Sequence, residues 1–119
     1  MLRYKLGAIL MLLTACWSLQ SMAQEETKVG LELVLLADAT GSIDDAEILF
    51  QRQGYATAIT DPNVISAIQT TIYERIAVTY VEWGDASSQD IVVGWQIIDG
   101  PESAQKFAEA LLQPPRRAQ

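Results

Sequence analysis

Residues 31–37 form a nearly unbroken apolar run, which is followed by the turn-forming sequence Asp-Ala-Thr-Gly-Ser. An apolar run without the alternation of a half-buried strand is typical of a strand that is covered on both faces. A helix is predicted next, over residues 45–59, because Asp44 and Glu47 have the spacing of a capping box. The Asp-Pro pair at residues 61–62 predicts where this helix ends.

The rest of the chain predicts a short helix, two strands and a final helix. Residues 63–69 place apolar side chains on one side of a helix. Residues 75–83 and 91–98 are rich in β-branched and aromatic residues, and the short polar segment between them predicts an antiparallel hairpin. A last helix is predicted from Pro101 to Leu112. The order β-α-α-β-β-α predicts an α/β layer structure whose first two strands are parallel.

Residues 1–23 have the pattern of an export signal. Arg3 and Lys5 precede an apolar stretch, and Ser21 and Ala23 supply small residues for a signal peptidase. A second route stays open, because the Leu-Thr-Ala-Cys sequence that ends at Cys16 resembles a bacterial lipobox, in which the cysteine is lipidated. Both routes place the domain outside the cytoplasm: the first predicts a secreted or periplasmic protein, and the second predicts a lipoprotein anchored through Cys16. No membrane contact of the mature domain is expected unless Cys16 is lipidated.

The predicted boundaries after the signal peptide are a flexible lead-in at residues 24–29, one domain at residues 30–113 and a disordered tail at residues 114–119. Removal of the leader leaves six basic and fifteen acidic residues, so the formal charge changes from −7 to −9. This acidity argues against nucleic acid as a partner. The chain has no histidine and its one cysteine lies in the leader, which excludes Ser-His-Asp and Cys-His catalysis and His-ligated metals.

Three side chains that follow the first strand form the candidate site. Asp38, Thr40 and Ser42 occupy alternate positions of a tight turn, so one carboxylate and two hydroxyls can face a common point. These are hard oxygen donors, which suit Mg²⁺, with Mn²⁺ and Ca²⁺ as alternatives. The competing interpretation is that the same residues only bond the local backbone as turn and cap residues.

Residues 33–42, with their apolar strand and Asp-x-Thr-x-Ser, resemble the first metal-site loop of von Willebrand factor type A domains. That loop is usually Asp-x-Ser-x-Ser, so Thr40 is a departure that keeps the hydroxyl. Residues 49–55, 80–83 and 95–100 are similar to segments of a bacterial family of secreted proteins of unknown function with this type A fold. The resemblance spans about residues 30–112, nearly the entire mature chain.

The resemblance implies a doubly wound, Rossmann-like sheet, of which about three strands are visible here. It implies that Thr40 and Ser42 ligate the ion, that Asp38 helps partly through water, and that a partner's acidic group completes the coordination. The resemblance implies a further threonine and aspartate from later loops, and we find no candidate for them between Pro114 and Gln119. Two explanations stay open: a truncated copy of a longer domain, or a stable mini-domain that covers its open sheet edge by self-association.

The sequence therefore predicts a binding module and not an enzyme. One alternative is a phosphotransfer enzyme with Asp38 as nucleophile, for which Lys106 is the only later lysine. Another is an envelope protein without a site that assembles through its sheet edge. Trp83 and Trp95 are expected to pack in the core or the hairpin, while Glu82 and Asp85 are expected to be solvated acids near a turn.

Overall fold

A computed structural model describes residues 25–114 of the chain. The described elements are β1 (Glu32–Asp38), α1 (Asp45–Ile59), α2 (Pro62–Gln69), β2 (Ile76–Asp85), β3 (Ser88–Ile98) and α3 (Pro101–Leu112). The predicted α/β class and the order β-α-α-β-β-α are confirmed. The predicted signal peptide, including Cys16, and residues 115–119 of the predicted tail lie outside the described residues.

The three strands form one mixed sheet in the order β1-β2-β3. β1 runs parallel to β2, with Leu33 beside Val78 and Asp38 beside Trp83. β2 and β3 form the predicted antiparallel hairpin, which pairs Asp85 with Ser88. Within residues 25–114, β1 is therefore an edge strand, as expected from the sequence.

Short polar side chains begin the first two helices: α1 starts at Asp45, as predicted, and α2 starts at Pro62, one residue before the predicted start. The Asp44 carboxylate accepts from the Glu47 backbone N–H at 2.9 Å, and the Glu47 carboxylate accepts from the Asp44 N–H at 2.8 Å, which completes the capping box. Asp61 caps α2 by accepting from the Asn63 N–H at 2.7 Å. These bonds satisfy N–H groups that have no partner inside a helix.

The core lies between one face of the sheet and the helices. Leu33, Leu35, Val78 and Tyr80 share that face, and the helices cover it with residues that include Ile59, Ile68, Phe107 and Leu111. No helix within residues 25–114 has the length and apolar character needed to cross a bilayer.

The prediction that β1 is covered on both faces is wrong for the described residues. Leu33, Leu35 and Ala37 point to the core, whereas Val34 and Leu36 are more than half exposed on the opposite face. Successive side chains of a strand point to opposite faces, so an all-apolar strand exposes half of its side chains when helices cover one face only.

Candidate metal centre

The candidate site is a turn at the carboxyl end of β1. Asp38 is the last residue of the strand and lies beside Trp83 of β2. The next residue, Ala39, donates its backbone N–H to the Trp83 carbonyl oxygen at 2.8 Å. The Gln51 side chain of α1 donates to the Asp38 carbonyl oxygen at 3.0 Å. The backbone on either side of the Asp38 peptide is thus held by both the sheet and the first helix.

Apolar contacts also fix the position of this turn. Ala39 and Ile48 are buried together, and Ile43 packs against them. The Ile43 N–H donates to the Thr40 carbonyl oxygen at 2.8 Å, which closes the turn. Because these residues fix the backbone before and after it, the segment at residues 40–42 presents its side chains from a defined position.

The three predicted side chains meet at this turn. Asp38 Oδ1 accepts from the Thr40 backbone N–H at 2.9 Å. The hydroxyl oxygens Thr40 Oγ1 and Ser42 Oγ lie 3.3 Å apart. Asp38 and Ser42 are exposed and Thr40 is partly exposed, so all three can be approached from solvent.

The local electrostatics favour a cation. Donation from the Thr40 backbone N–H, and secondly from the Thr40 hydroxyl, lowers the pKa of Asp38 below its ordinary value, so this carboxylate is anionic at neutral pH. The sequence has no lysine or arginine between Lys28 and Arg52, and five acidic residues lie in that interval. A surface of this charge attracts cations.

The spacing of the two hydroxyls suits adjacent ligands of a small hard ion. Oxygens at about 2.0–2.1 Å from Mg²⁺ in octahedral geometry lie about 3 Å from their neighbours, close to the observed separation. Within residues 25–114, no group of three His, Cys, Asp or Glu side chains could hold a metal ion. The candidate centre instead combines one carboxylate with two hydroxyls, so an ion there would need water or a partner to complete its coordination.

The other residues weighed in the sequence lie elsewhere or have other contacts. Lys106, the lysine that a phosphotransfer reaction would use, forms an exposed ion pair with Glu102 at 2.9 Å. Asp85 is exposed, as predicted, and accepts from the backbone and hydroxyl of Ser87 in the hairpin turn. The expectation that Glu82 is a solvated acid is wrong, because this side chain is fully buried.

One residue that the sequence did not assign to the site is Gln51. It is the seventh residue of α1, and its side-chain amide donates to the Asp38 carbonyl oxygen. The signal that could have found it is its position in residues 49–55, one of the segments that carries the family resemblance. Nothing in the spacing of Asp38, Thr40 and Ser42 indicates a contact 13 residues away.

Residues 28–119 match DUF1194, a family of proteins of unknown function, and the chain belongs to this family. No curated protein and no solved structure matches the chain. The predicted membership in a family of unknown function is therefore confirmed, whereas the type A identity of the fold stays a prediction.

Proposed function

We propose that this chain is an exported binding module of the von Willebrand factor A-like type, which recognises an acidic group on a protein or ligand through a divalent cation. The observation that carries this proposal is the convergence of Thr40 Oγ1 and Ser42 Oγ, 3.3 Å apart, beside the Asp38 carboxylate. The site also stands where α/β sheets commonly bind ligands, at the carboxyl end of a strand that precedes a helix.

Each of the three side chains has a separate task in this proposal. The hydroxyls of Thr40 and Ser42 supply two neutral oxygen ligands, and Asp38 supplies negative charge either directly or through water. A bound Mg²⁺ would supply the positive charge that an acidic group of the partner ligates. With only one carboxylate among its protein ligands, the centre keeps a net positive charge and leaves coordination positions open for that group.

The anchoring of the turn supports this role. The Ala39 bond to Trp83 and the Gln51 bond to Asp38 fix the backbone from which the ligands project. A site whose ligands are already in position loses less conformational entropy when the ion binds. The pattern of residues 1–23 supports export, with signal-peptidase cleavage after Ala23 and lipidation at Cys16 as the two routes.

Isothermal titration of the protein with Mg²⁺ and with Mn²⁺ tests the proposal. We expect saturable one-to-one binding that weakens about ten-fold or more in Asp38→Asn, since even residues behind the ligands commonly contribute that much to metal affinity. Asparagine keeps an oxygen that can accept from the Thr40 N–H, so the variant removes charge without removing the turn bond. Thr40→Val should weaken binding, while Thr40→Ser should retain it.

Asp85→Asn is the matched control, because it removes one exposed carboxylate from the hairpin turn and leaves the candidate ligands intact. Its affinity should equal that of the unaltered protein. An absence of heat at millimolar metal would refute the proposal, as would equal weakening in Asp38→Asn and Asp85→Asn.

A further inference from the structure

The second face of the sheet is a continuous apolar surface on which no described helix packs. Leu36 is 59% exposed, Ile91 64% and Trp95 55%. We call this surface the open face; its apolar members are Val34, Leu36, Val81, Trp83, Ile91, Trp95 and Ile97. Exposed apolar surface that is contiguous, and not scattered, marks sites where another molecule binds.

The open face includes a hollow near the carboxyl ends of β1 and β2. The hollow has a volume of about 460 Å³ and is lined by Leu36, Val81, Trp83, Asp85, Ala86 and Gln89. Large side chains of a partner can enter such a hollow, and an aromatic wall of this kind is typical of the well-packed centre of an interface.

The charged side chains that the strands place on the open face are acidic. The three strands contain neither lysine nor arginine. Glu32 and Asp38 stand at the two ends of β1 on this face, and Asp85 follows at the end of β2, whereas Glu82 and its neighbour Asp90 belong to the core face. Acids along one edge and one end of an apolar surface favour a partner that carries basic residues beside an apolar stripe.

The dimensions of the face suit one helix. The two outer strands of a three-stranded sheet lie about 10 Å apart, which is about the diameter of a helix with its side chains. A parallel strand pair with apolar residues on both faces is characteristically covered by helices on both sides. Here α1 and α3 cover only one of the two faces of the sheet.

We propose that the open face docks an amphipathic helix of a partner protein, with large apolar residues on one side of that helix and lysine or arginine on its flanks. The charge pattern distinguishes this partner from a second copy of the chain. A two-fold axis across the strands stacks β1 on β1 and places Glu32 of one copy over Asp38 of the other, whereas an axis along β2 places Asp85 over Asp85, so both arrangements bring acids together. The proposal needs no bound metal, and it shares only Asp38 with the candidate metal centre.

Trp83 and Trp95 both lie on the open face, and Trp17 of the predicted leader is replaced in the test protein (Trp17→Phe), so indole fluorescence reports occupancy of that face. The probe is a synthetic amphipathic helix of about 18 residues, about 27 Å long, with leucine on one side, lysine on the flanks and no tryptophan. A second peptide has glutamate in place of each lysine. Both are titrated into the full-chain protein with EDTA present, so the result does not depend on the candidate metal centre.

We expect the lysine peptide to shift the indole emission to shorter wavelength with saturation, and to bind at least about ten-fold more tightly than the glutamate peptide. Ile91→Lys should weaken binding of the lysine peptide by about ten-fold or more, because it places a charge on the apolar centre. Ile72→Lys is the matched control, since it adds the same charge at a residue that is 82% exposed and outside the sheet. That control should bind as the unaltered protein does.

Equal weakening in the two lysine variants would overturn the proposal, because it would show only general attraction between an acidic protein and a basic peptide. Equal affinity for the two peptides would overturn the charge argument. A dimer in sedimentation equilibrium without peptide, lost in Ile91→Lys but kept in Ile72→Lys, would assign the face to a second copy and would also overturn it.

Discussion

Arg52 and Glu82 form a buried, two-point ion pair that joins α1 to β2. Arg52 Nε donates to Glu82 Oε1 at 2.7 Å and Arg52 Nη2 donates to Oε2 at 3.0 Å, while the two side chains are 3% and 0% exposed. The Tyr80 hydroxyl donates to Glu82 Oε1 at 3.3 Å. Arg52 Nη1 donates to the carbonyl oxygen of Pro114. The pair thus ties the first helix to the middle strand and to the segment that follows α3.

The first prediction concerns removal of one partner of this pair. Arg52→Ala leaves the Glu82 charge buried and unpaired, so we expect the free energy of unfolding to fall by about 3–5 kcal/mol. The double variant Arg52→Met/Glu82→Leu removes both charges and keeps apolar volume, so it should recover most of that loss. Urea unfolding at neutral pH measures both values; an Arg52→Ala variant as stable as the double variant would contradict the buried pair.

The second prediction concerns alkaline pH. Burial, and then the charge of Glu82, raises the pKa of Tyr80 above its ordinary value of about 10. Well below pH 10 the Tyr80 hydroxyl is protonated in both the folded and the unfolded state, so it does not make stability depend on pH. Above pH 10 it ionises first in the unfolded state, so the fold loses stability as pH rises. The difference in unfolding free energy between the unaltered protein and Tyr80→Phe should therefore be flat below about pH 9 and should shift in favour of Tyr80→Phe above pH 10. Urea titrations across this range test it, and a constant difference would count against the raised pKa.

The third prediction concerns the carboxylate at the candidate metal centre. Because the Thr40 hydroxyl helps to lower the pKa of Asp38, Thr40→Val should move that pKa upward, while Thr40→Ser should leave it low. A carboxyl with a lowered pKa stabilises the fold above its unfolded pKa and loses this contribution as pH falls through the folded value. Acid should therefore remove less stability from Thr40→Val. Carbon-13 NMR titration of the Asp38 carboxyl measures the shift, and equal pKa values in the two variants would contradict the hydroxyl contact.

The fourth prediction contrasts two glycines. A Cβ at Gly30 would lie 2.6 Å from Thr71 Cβ and 2.7 Å from Thr71 Oγ1, so Gly30→Ala should destabilise the fold by about 1–3 kcal/mol. Gly54 lies inside α1, and a Cβ there meets nothing within 4 Å. Gly54→Ala should therefore stabilise the fold by about 0.5–1 kcal/mol, because alanine loses less backbone entropy in a helix. Thermal unfolding of both variants shows whether each substitution stabilises or destabilises the fold. A stabilising Gly30→Ala would contradict the close approach of Gly30 to Thr71.

Local patterns in the sequence predicted the elements well and their long-range contacts poorly. The bounds of α1 follow from the capping box of Asp44 and Glu47 and from Asp61-Pro62, which act within a few residues. The sequence predicts a solvated Glu82 because acids near a turn are usually exposed, and no local pattern indicates its partner Arg52, which lies 30 residues earlier. Trp95 belongs to the hairpin and not to the core, since it is more than half exposed; strand periodicity cannot say which face the helices cover.

The candidate site was predictable to the extent that it is local. Asp38, Thr40 and Ser42 belong to one turn, and alternate positions of a turn bring their oxygens together. The anchors of that turn, Gln51 and the Trp83 carbonyl oxygen, come from other elements and could be identified only once α1 and β2 were in place.

The proposed function requires that three side-chain oxygens of one turn bind a hard divalent ion. Substoichiometric Mn²⁺ added to nitrogen-15-labelled protein locates the ion, because the paramagnetic ion broadens the signals of nearby amides. We expect the amides of Thr40, Gly41 and Ser42 to broaden first and Asp38→Asn to remove this effect. Broadening that begins at Asp85 or at the start of α1, and is unchanged in Asp38→Asn, would contradict it.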